Sequence, residues 1–229
     1  MRKAIKHTVL TLAIGFGLAG SASAAIETIS GTHTLFSFDD ALLGLFGAPS
    51  VSGDTLFFTP NSFSAKATGT SALDFNNATI NVKVLAKPGY SIAGVNVTEQ
   101  GDYWLFRLGS GNLGTSVSGQ IRVRNLSDLA ETTDGLNTTV PMTTVGLGSI
   151  NWTATASAAL PSWQASAVNL TIENLLLAYT DTTKPSLAFV EKKYIGASAL
   201  VTAVPEPESY AMLLAGLGMI GVVARRRMK

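Results

Sequence analysis

Hydrophobic and polar residues alternate along much of this chain, and a period of two is typical of β-strands with one buried face. The clearest cases are residues 79–85, 119–124 and 168–173, where aliphatic side chains occupy alternate positions. Valine and threonine, which suit a pleated surface, are frequent in the chain. The same criteria predict further strands at residues 26–38, 55–59, 62–68, 90–98, 103–108, 150–157 and 187–201.

About ten short strands separated by glycine and proline turns, with no convincing amphipathic helix, predict an all-β fold. We expect residues 25–203 to form an antiparallel β-sandwich, either jelly-roll-like or immunoglobulin-like. Residues 40–46 and 128–131 are candidates for short helical turns. Residues 127–148 lack a strand pattern and are rich in threonine, so we expect a long surface loop there.

The first 24 residues have the features of a cleavable secretory signal. A basic segment precedes a short apolar run, and the small residues Ala-Ser-Ala follow it. This order predicts a signal helix over residues 1–24, which signal peptidase removes by cutting between Ala24 and Ala25.

The segment 204–229 combines three features in a fixed order. They are an acidic motif between prolines at 204–209, an apolar run at 210–224 and a basic tail at 225–229. Prolines fix φ and lack an N–H donor, so we expect the motif to be extended and accessible to a processing enzyme. The residues of this motif are Pro205, Glu206 and Pro207.

The apolar run predicts a short transmembrane helix. At about 1.5 Å per residue it spans roughly 22 Å, less than the roughly 30 Å hydrocarbon core of a bilayer. Snorkelling and local thinning of the bilayer can compensate for such a mismatch, so the helix is marginal. A cluster of arginines marks the cytoplasmic end of the span. These membrane-stop residues are Arg225, Arg226 and Arg227.

Together, the Val-Pro-Glu-Pro sequence from Val204, the apolar run and the basic end resemble the PEP-CTERM protein-sorting signal. That resemblance implies export in a Gram-negative bacterium that builds exopolysaccharide. It also implies an exosortase as partner, a membrane enzyme with a cysteine nucleophile that cuts near the Pro-Glu-Pro. The resemblance covers about 26 residues and implies nothing about the rest of the chain, because such signals follow many unrelated domains.

The distribution of charge excludes one class of partner. The formal net charge is +1, but seven of the sixteen basic residues and only two of the fifteen acidic residues lie in the two end segments. The body is therefore near −4, and its scattered basic residues argue against nucleic-acid binding. The chain has no cysteine, so we expect an exported domain held by its core and sheets alone.

Catalytic motifs are missing from the body. Its single histidine, His33, lies in a strand-like segment, and the sequence has no Gly-x-Ser-x-Gly motif and no cluster of metal ligands. A glycosidase needs two carboxylates at a defined separation, and the sequence alone pairs none of its acids. We therefore expect no catalytic residue, no metal site and no cofactor. The acids considered for such a pair are Asp39, Asp40, Asp102, Glu173 and Glu191.

Aromatic faces stack on sugar rings, so each tryptophan is a candidate for a carbohydrate contact. The alternating patterns around Trp104 and Trp152 favour core packing. Trp163 follows Pro-Ser in a predicted loop and is the candidate for a sugar contact.

These observations predict a non-enzymatic surface or extracellular-matrix protein, acting by adhesion or by association with exopolysaccharide. We expect an inner-membrane intermediate that faces the periplasm and contacts lipid through the C-terminal helix, followed by release to the cell surface. Two alternatives remain open: a secreted carbohydrate-active enzyme with a carboxylate pair, and a protein anchored permanently in the membrane.

Overall fold

The computed structural model describes residues 25–160, 165–204 and 207–227, and the side chains of residues 207–210 are not described. The predicted signal helix at residues 1–24 lies outside these ranges. In the described residues the chain forms thirteen strands and one α-helix. They are β1 (Ile26–Ser30), β2 (Thr34–Asp39), β3 (Pro49–Ser52), β4 (Thr55–Phe58), β5 (Ser64–Thr68), β6 (Ser71–Ala86), β7 (Tyr90–Arg107), β8 (Gly111–Asn125), β9 (Glu131–Gly135), β10 (Asn137–Thr138), β11 (Ile150–Ala159), β12 (Ala167–Thr182), β13 (Ser186–Ala203) and α1 (Pro207–Arg227).

The strands form two antiparallel sheets. The first sheet has the order β1-β2-β6-β12-β8-β9, and the second has the order β10-β11-β7-β13-β4-β3, with β5 also paired to β13. Every strand pairing is antiparallel, so the all-β, antiparallel prediction is confirmed. The more specific assignment to a jelly-roll-like or immunoglobulin-like sandwich stays a prediction.

Alternating apolar positions of both sheets fill a shared core, as the sequence pattern predicted. In the first sheet Ile172 of β12 lies between Ile80 of β6 and Ile121 of β8, and all three side chains are buried. They belong to the same cluster as Val97 and Ile195 of the second sheet. Burial of these aliphatic side chains between the sheets is the main favourable contribution to folding.

The long strands explain most differences from the predicted strand boundaries. Strands β6, β7, β8, β12 and β13 have 15 to 18 residues, well above the usual length of about 5–6. The segments predicted at 90–98 and 103–108 are one strand, because the polar residues between them continue the pairing of β7 with both neighbours. Conversely, the segment predicted as one strand at 26–38 is the hairpin β1–β2.

A β-bulge in β13 reverses which residues face the core. Lys192 pairs with Gly101 and Tyr194 pairs with Gln100, so Lys193 is an extra residue without a counterpart in β7. Even-numbered residues of β13 are buried before the bulge, and Ile195 is buried after it.

The segment predicted as a loop at 127–148 contains strands β9 and β10, and β9 pairs with β8. The helical turn predicted at 128–131 is therefore wrong, since Glu131 begins a strand. The predicted turn at 40–46 is confirmed as two 3₁₀ turns, Asp40–Leu42 and Gly44–Phe46. The side chain of Asp39 caps the first turn by accepting from the backbone N–H of Ala41 at 3.0 Å.

Candidate functional site

The sorting segment follows directly from a central strand of the body. β13 pairs with β7 as far as Ala203, which lies opposite Tyr90. The backbone N–H of the next residue, Val204, donates to the carbonyl oxygen of Gly89 at 2.8 Å. The body therefore holds the chain up to the residue that precedes Pro205.

The C-terminal helix begins at Pro207 and ends at Arg227, three residues beyond the predicted apolar run at each end, so the extended backbone predicted for the motif is wrong at residues 207–209. Proline fits the first position of a helix, where its missing N–H would have had no intrahelical partner. Apolar side chains along the helix are exposed, including Met212 at 75% and Leu214 at 68%. The helix is confirmed, but no helix in the described part of the chain is long and apolar enough to cross a membrane, so the transmembrane part of the prediction is not supported.

The structure describes only some of the predicted functional residues. Ala25 is exposed immediately before β1, and the three arginines of the predicted membrane stop are exposed in the last turn of α1. Ala24, Pro205, Glu206 and Trp163 lie outside the described residues. The predicted roles of all these residues stay predictions.

Two of the candidate carboxylates meet on the outer face of the second sheet. Asp102 and Glu191 lie opposite each other in β7 and β13, and both accept from the ammonium of Lys193, at 2.9 and 2.8 Å. Burial alone raises the pKa of Asp102, but the hydrogen bond and positive charge of Lys193 outweigh burial and lower that pKa below its usual value. A glycosidase acid needs a raised pKa, so Asp102 lacks the property of a general acid.

Glu173 lies on the outer face of the other sheet, away from this pair. Its two carboxylate oxygens accept from Arg122 at 2.8 Å and from Gln120 at 2.7 Å. A carboxylate whose two oxygens both accept hydrogen bonds from neighbouring side chains is better suited to stabilising the strand surface than to transferring a proton.

His33 forms a local structural contact with an aspartate. Its Nδ1 lies 2.8 Å from the carboxylate of Asp54, and its backbone N–H donates to the same carboxylate at 2.6 Å. The Tyr90 ring lies 4.2 Å from the imidazole. Among the hydrogen bonds of the described residues, none joins a serine or threonine hydroxyl to the imidazole, so this pair lacks the nucleophile of a Ser-His-Asp triad.

The two tryptophans that the structure describes do not form an exposed platform. Trp152 is 4% exposed, and its Nε1 donates to the carbonyl oxygens of Asp102 and Glu191, each at 3.2 Å. Trp104 is half-buried beneath the loop before β11, where its Nε1 donates to the carbonyl oxygen of Gly146 at 2.9 Å. The core prediction is confirmed for Trp152 and is wrong for Trp104, which lies on the opposite face of β7 from the buried Leu105.

A polar layer crosses the core between the two sheets, and we define it as Lys192, Glu99 and Asn174. The Lys192 ammonium donates to the Glu99 carboxylate and to the amide oxygen of Asn174. It also lies 5.2 Å from the Phe63 ring centroid and 5.9 Å from that of Trp152. The side chains of Lys192 and Glu99 are fully buried, and burial lowers the pKa of Lys192 despite the opposing effect of Glu99.

Glycines make room for this layer. Gly101 pairs with Lys192, and Gly119 pairs with Asn174. A Cβ at Gly101 would lie 1.9 Å from the carbonyl oxygen of Glu191, and one at Gly119 would lie 2.1 Å from a carbonyl oxygen of β12. The two strand glycines are therefore required by close backbone approach.

The sequence contained a signal for the polar layer that the prediction did not use. Glu99 continues the inward series of Val95 and Val97, and Lys192 continues the inward series that includes Val190. A charged residue at an inward position of a regular strand indicates a buried partner, because an unpaired buried charge is costly.

No group of three or more potential metal ligands occurs in the part of the chain that the structure describes.

Comparison with known proteins assigns one segment of the chain. A family model for the PEP-CTERM protein-sorting motif matches residues 203–227. No curated protein matches the chain. The matched segment begins at the last residue of β13 and ends with α1. This chain therefore carries a PEP-CTERM protein-sorting motif, which indicates a protein sorted to the cell surface by exosortase in Gram-negative bacteria.

Proposed function

We propose that this protein is a non-enzymatic component of the cell surface or extracellular matrix, acting by adhesion or by association with exopolysaccharide. The match of residues 203–227 to the PEP-CTERM motif carries this proposal, because it indicates delivery to the cell surface. In the proposed sequence, signal peptidase removes residues 1–24 and an exosortase later cuts near the motif.

The proposed intermediate is held at the inner membrane with its body in the periplasm. The exposed apolar side chains of α1 and the arginines in its last turn support contact with lipid. The short apolar run supports a temporary hold in place of permanent anchoring.

The carboxylate and histidine geometry supports a non-enzymatic body. Asp102 and Glu191 share the ammonium of Lys193, and both oxygens of Glu173 are hydrogen-bonded. His33 contacts Asp54 without a hydroxyl partner among the described hydrogen bonds. None of these groups combines a free carboxylate or imidazole with the second group that hydrolysis needs.

The decisive experiment replaces Pro205, Glu206 and Pro207 with alanine and follows the protein by cell fractionation. We expect full-length protein to accumulate in the inner membrane and to be lost from the surface. Mass spectrometry of surface-released wild-type protein should find a C-terminus near the motif. Wild-type protein that stays in the membrane fraction and keeps its last 25 residues would instead support the permanently anchored alternative.

A composition-matched control removes two exposed prolines and one exposed glutamate elsewhere, in the variant Glu27→Ala/Pro141→Ala/Pro185→Ala. We expect this control to be processed and delivered like the wild type. Normal surface delivery of the motif variant would refute the proposal.

A further inference from the structure

The outer face of the first sheet carries an apolar patch, defined as Leu73, Phe75, Leu175, Leu177 and Tyr179. Leu73 is 66% exposed, Phe75 is 58% exposed and Tyr179 is 39% exposed. Leu73 lies opposite Tyr179 and Phe75 lies opposite Leu177, so the side chains are contiguous across β6 and β12. An exposed group of this kind on a rigid sheet usually marks a contact surface.

Tyr179 lies over a glycine in the next strand. Gly114 of β8 pairs with Tyr179, and a Cβ at Gly114 would lie 2.8 to 3.0 Å from three atoms of the phenol ring. The ring therefore lies over the backbone of β8 at Gly114 and extends the apolar patch towards that strand.

A polar groove of about 350 Å³ adjoins the apolar patch along the same strands. Leu175 belongs to both, and the remaining side chains of the groove are amides, hydroxyls and one carboxylate. They are Asn77, Thr79, Ser118, Gln120 and Glu173, while Asn174 borders the groove with its side chain turned into the polar layer of the core.

The groove has little net charge. The Glu173 carboxylate accepts from the Arg122 guanidinium at 2.8 Å and from the Gln120 amide at 2.7 Å. Its negative charge is therefore balanced within the same face. A neutral, hydroxyl-rich ligand complements such a surface, whereas a polyanion would find no excess of positive charge.

We propose that the apolar patch and the polar groove together bind a chain of neutral polysaccharide. The rings of Phe75 and Tyr179 take the apolar faces of sugar rings, and the groove side chains hydrogen-bond to sugar hydroxyls. This inference rests on the proposed association with exopolysaccharide and names its site. A protein partner is less suited, because a stable protein interface draws about 20–30 residues from each side, more than the patch and groove supply.

Affinity electrophoresis of the full chain in detergent tests the proposal. The native gels contain hydroxyethylcellulose, galactomannan or dextran as neutral probes, and alginate as a charged probe. We expect at least one neutral probe to retard the wild type and alginate to have no effect. Phe75→Ala/Tyr179→Ala should weaken binding by roughly tenfold or more, the effect expected from truncating two aromatic contacts.

The matched control is Phe57→Ala/Tyr194→Ala, which removes a stacked aromatic pair from the other sheet, where the ring centroids are 6.3 Å apart. We expect this control to bind like the wild type. A second variant, Asn77→Ala, changes only the groove and should weaken binding without altering thermal unfolding. Its effect supports the site independently of the aromatic variant.

Three outcomes would overturn the inference. They are no retardation by any neutral probe, equal retardation of the wild type and the aromatic variant, and a wild-type dimer that Phe75→Ala/Tyr179→Ala converts to a monomer. The last outcome would identify a second copy of the chain as the occupant. Surface delivery and C-terminal processing are measured separately, so the proposed sorting can hold when this site assignment fails.

Discussion

Removing the charge of Lys192 tests the energetic importance of the polar layer. Lys192→Met keeps most of the side-chain volume but leaves the Glu99 carboxylate without its cationic partner. The wild-type carboxylate already has one oxygen, Oε1, that is buried without a hydrogen bond in the structure. Water cannot compensate for the loss, because both side chains are fully buried.

The expected cost depends on pH. A buried carboxyl group that has lost its partner takes up a proton instead of staying charged, and for a glutamate this costs about 4 kcal/mol at pH 7 and about 1 kcal/mol at pH 5. The cost of about 4 kcal/mol at pH 7 agrees with the roughly 3–5 kcal/mol typical of breaking a buried ion pair. The deficit of Lys192→Met relative to the wild type should therefore shrink as the pH falls from 7 to 5.

Urea unfolding followed by tryptophan fluorescence measures this difference. Trp152 is a suitable probe because its ring lies 5.9 Å from the Lys192 ammonium. With a slope of about 2 kcal/mol per molar urea, the expected shift of the midpoint at pH 7 is about 2 M. The double variant Lys192→Met/Glu99→Met should recover much of the loss, because it leaves no unpaired charge.

Lys83→Met is the matched control, since Lys83 is an exposed lysine on the outer face of β6. We expect its urea midpoint to remain close to that of the wild type at both pH values. Equal midpoints for Lys192→Met and Lys83→Met would refute the reasoning, as would a double variant no more stable than Lys192→Met alone.

Two further substitutions test local features of the body. Burial alone raises the pKa of Asp54, but hydrogen bonds, of which that from the His33 backbone N–H is the largest, lower the pKa below its usual value. The ionised carboxylate therefore stabilises the fold above about pH 4, and this stabilisation is lost as the pH falls further. Asp54→Asn should lower the free energy of unfolding by about 1 kcal/mol at pH 7. Below pH 4 the free energy of unfolding of this variant should fall less steeply than that of the wild type. Parallel plots of unfolding free energy against pH for the two proteins would contradict this account. Gly101→Ala should destabilise the folded protein by at least about 3 kcal/mol, because the added Cβ meets the carbonyl oxygen of Glu191. The control Gly148→Ala adds a Cβ in open space and should leave thermal unfolding nearly unchanged.

The antiparallel sheets could be predicted because the alternation of apolar and polar residues within each strand shows which face of that strand is buried. In β12, Leu170 and Ile172 alternate with polar residues, and this local pattern is sufficient to identify an inward face. The bulge at Lys193 could not be found in the same way, since an extra residue is defined only against the partner strand. The strands β9 and β10 were missed because short polar strands have no apolar alternation.

The sorting motif was predictable and the proposed sugar-binding face was not, because one is contiguous in the sequence and the other is assembled by the fold. The motif is contiguous in the chain, so its order alone identifies it. The apolar patch joins Phe75 to Tyr179, which lie about 100 residues apart and meet only through the pairing of β6 with β12. One local signal existed: the run from Leu175 to Tyr179 is apolar at every position, which indicates that both faces of the strand carry apolar contacts.

Under the proposed sorting, the position of β13 would tie completion of the fold to the timing of release. β13 is the last strand of the described residues, yet it lies between β7 and the β4–β5 edge in the second sheet. The second sheet therefore stays divided into two parts until residues 186–203, which directly precede the motif, have paired with their neighbours. An enzyme that cut at the motif earlier would release a body with an open gap, exposing unpaired strand edges that promote aggregation. Once β13 has paired, the hydrogen bond from the Val204 N–H to the Gly89 carbonyl oxygen holds the chain against the body up to the residue before Pro205. Under the proposed sorting, pairing of β13 therefore completes the domain directly beside the motif at which the exosortase would cut.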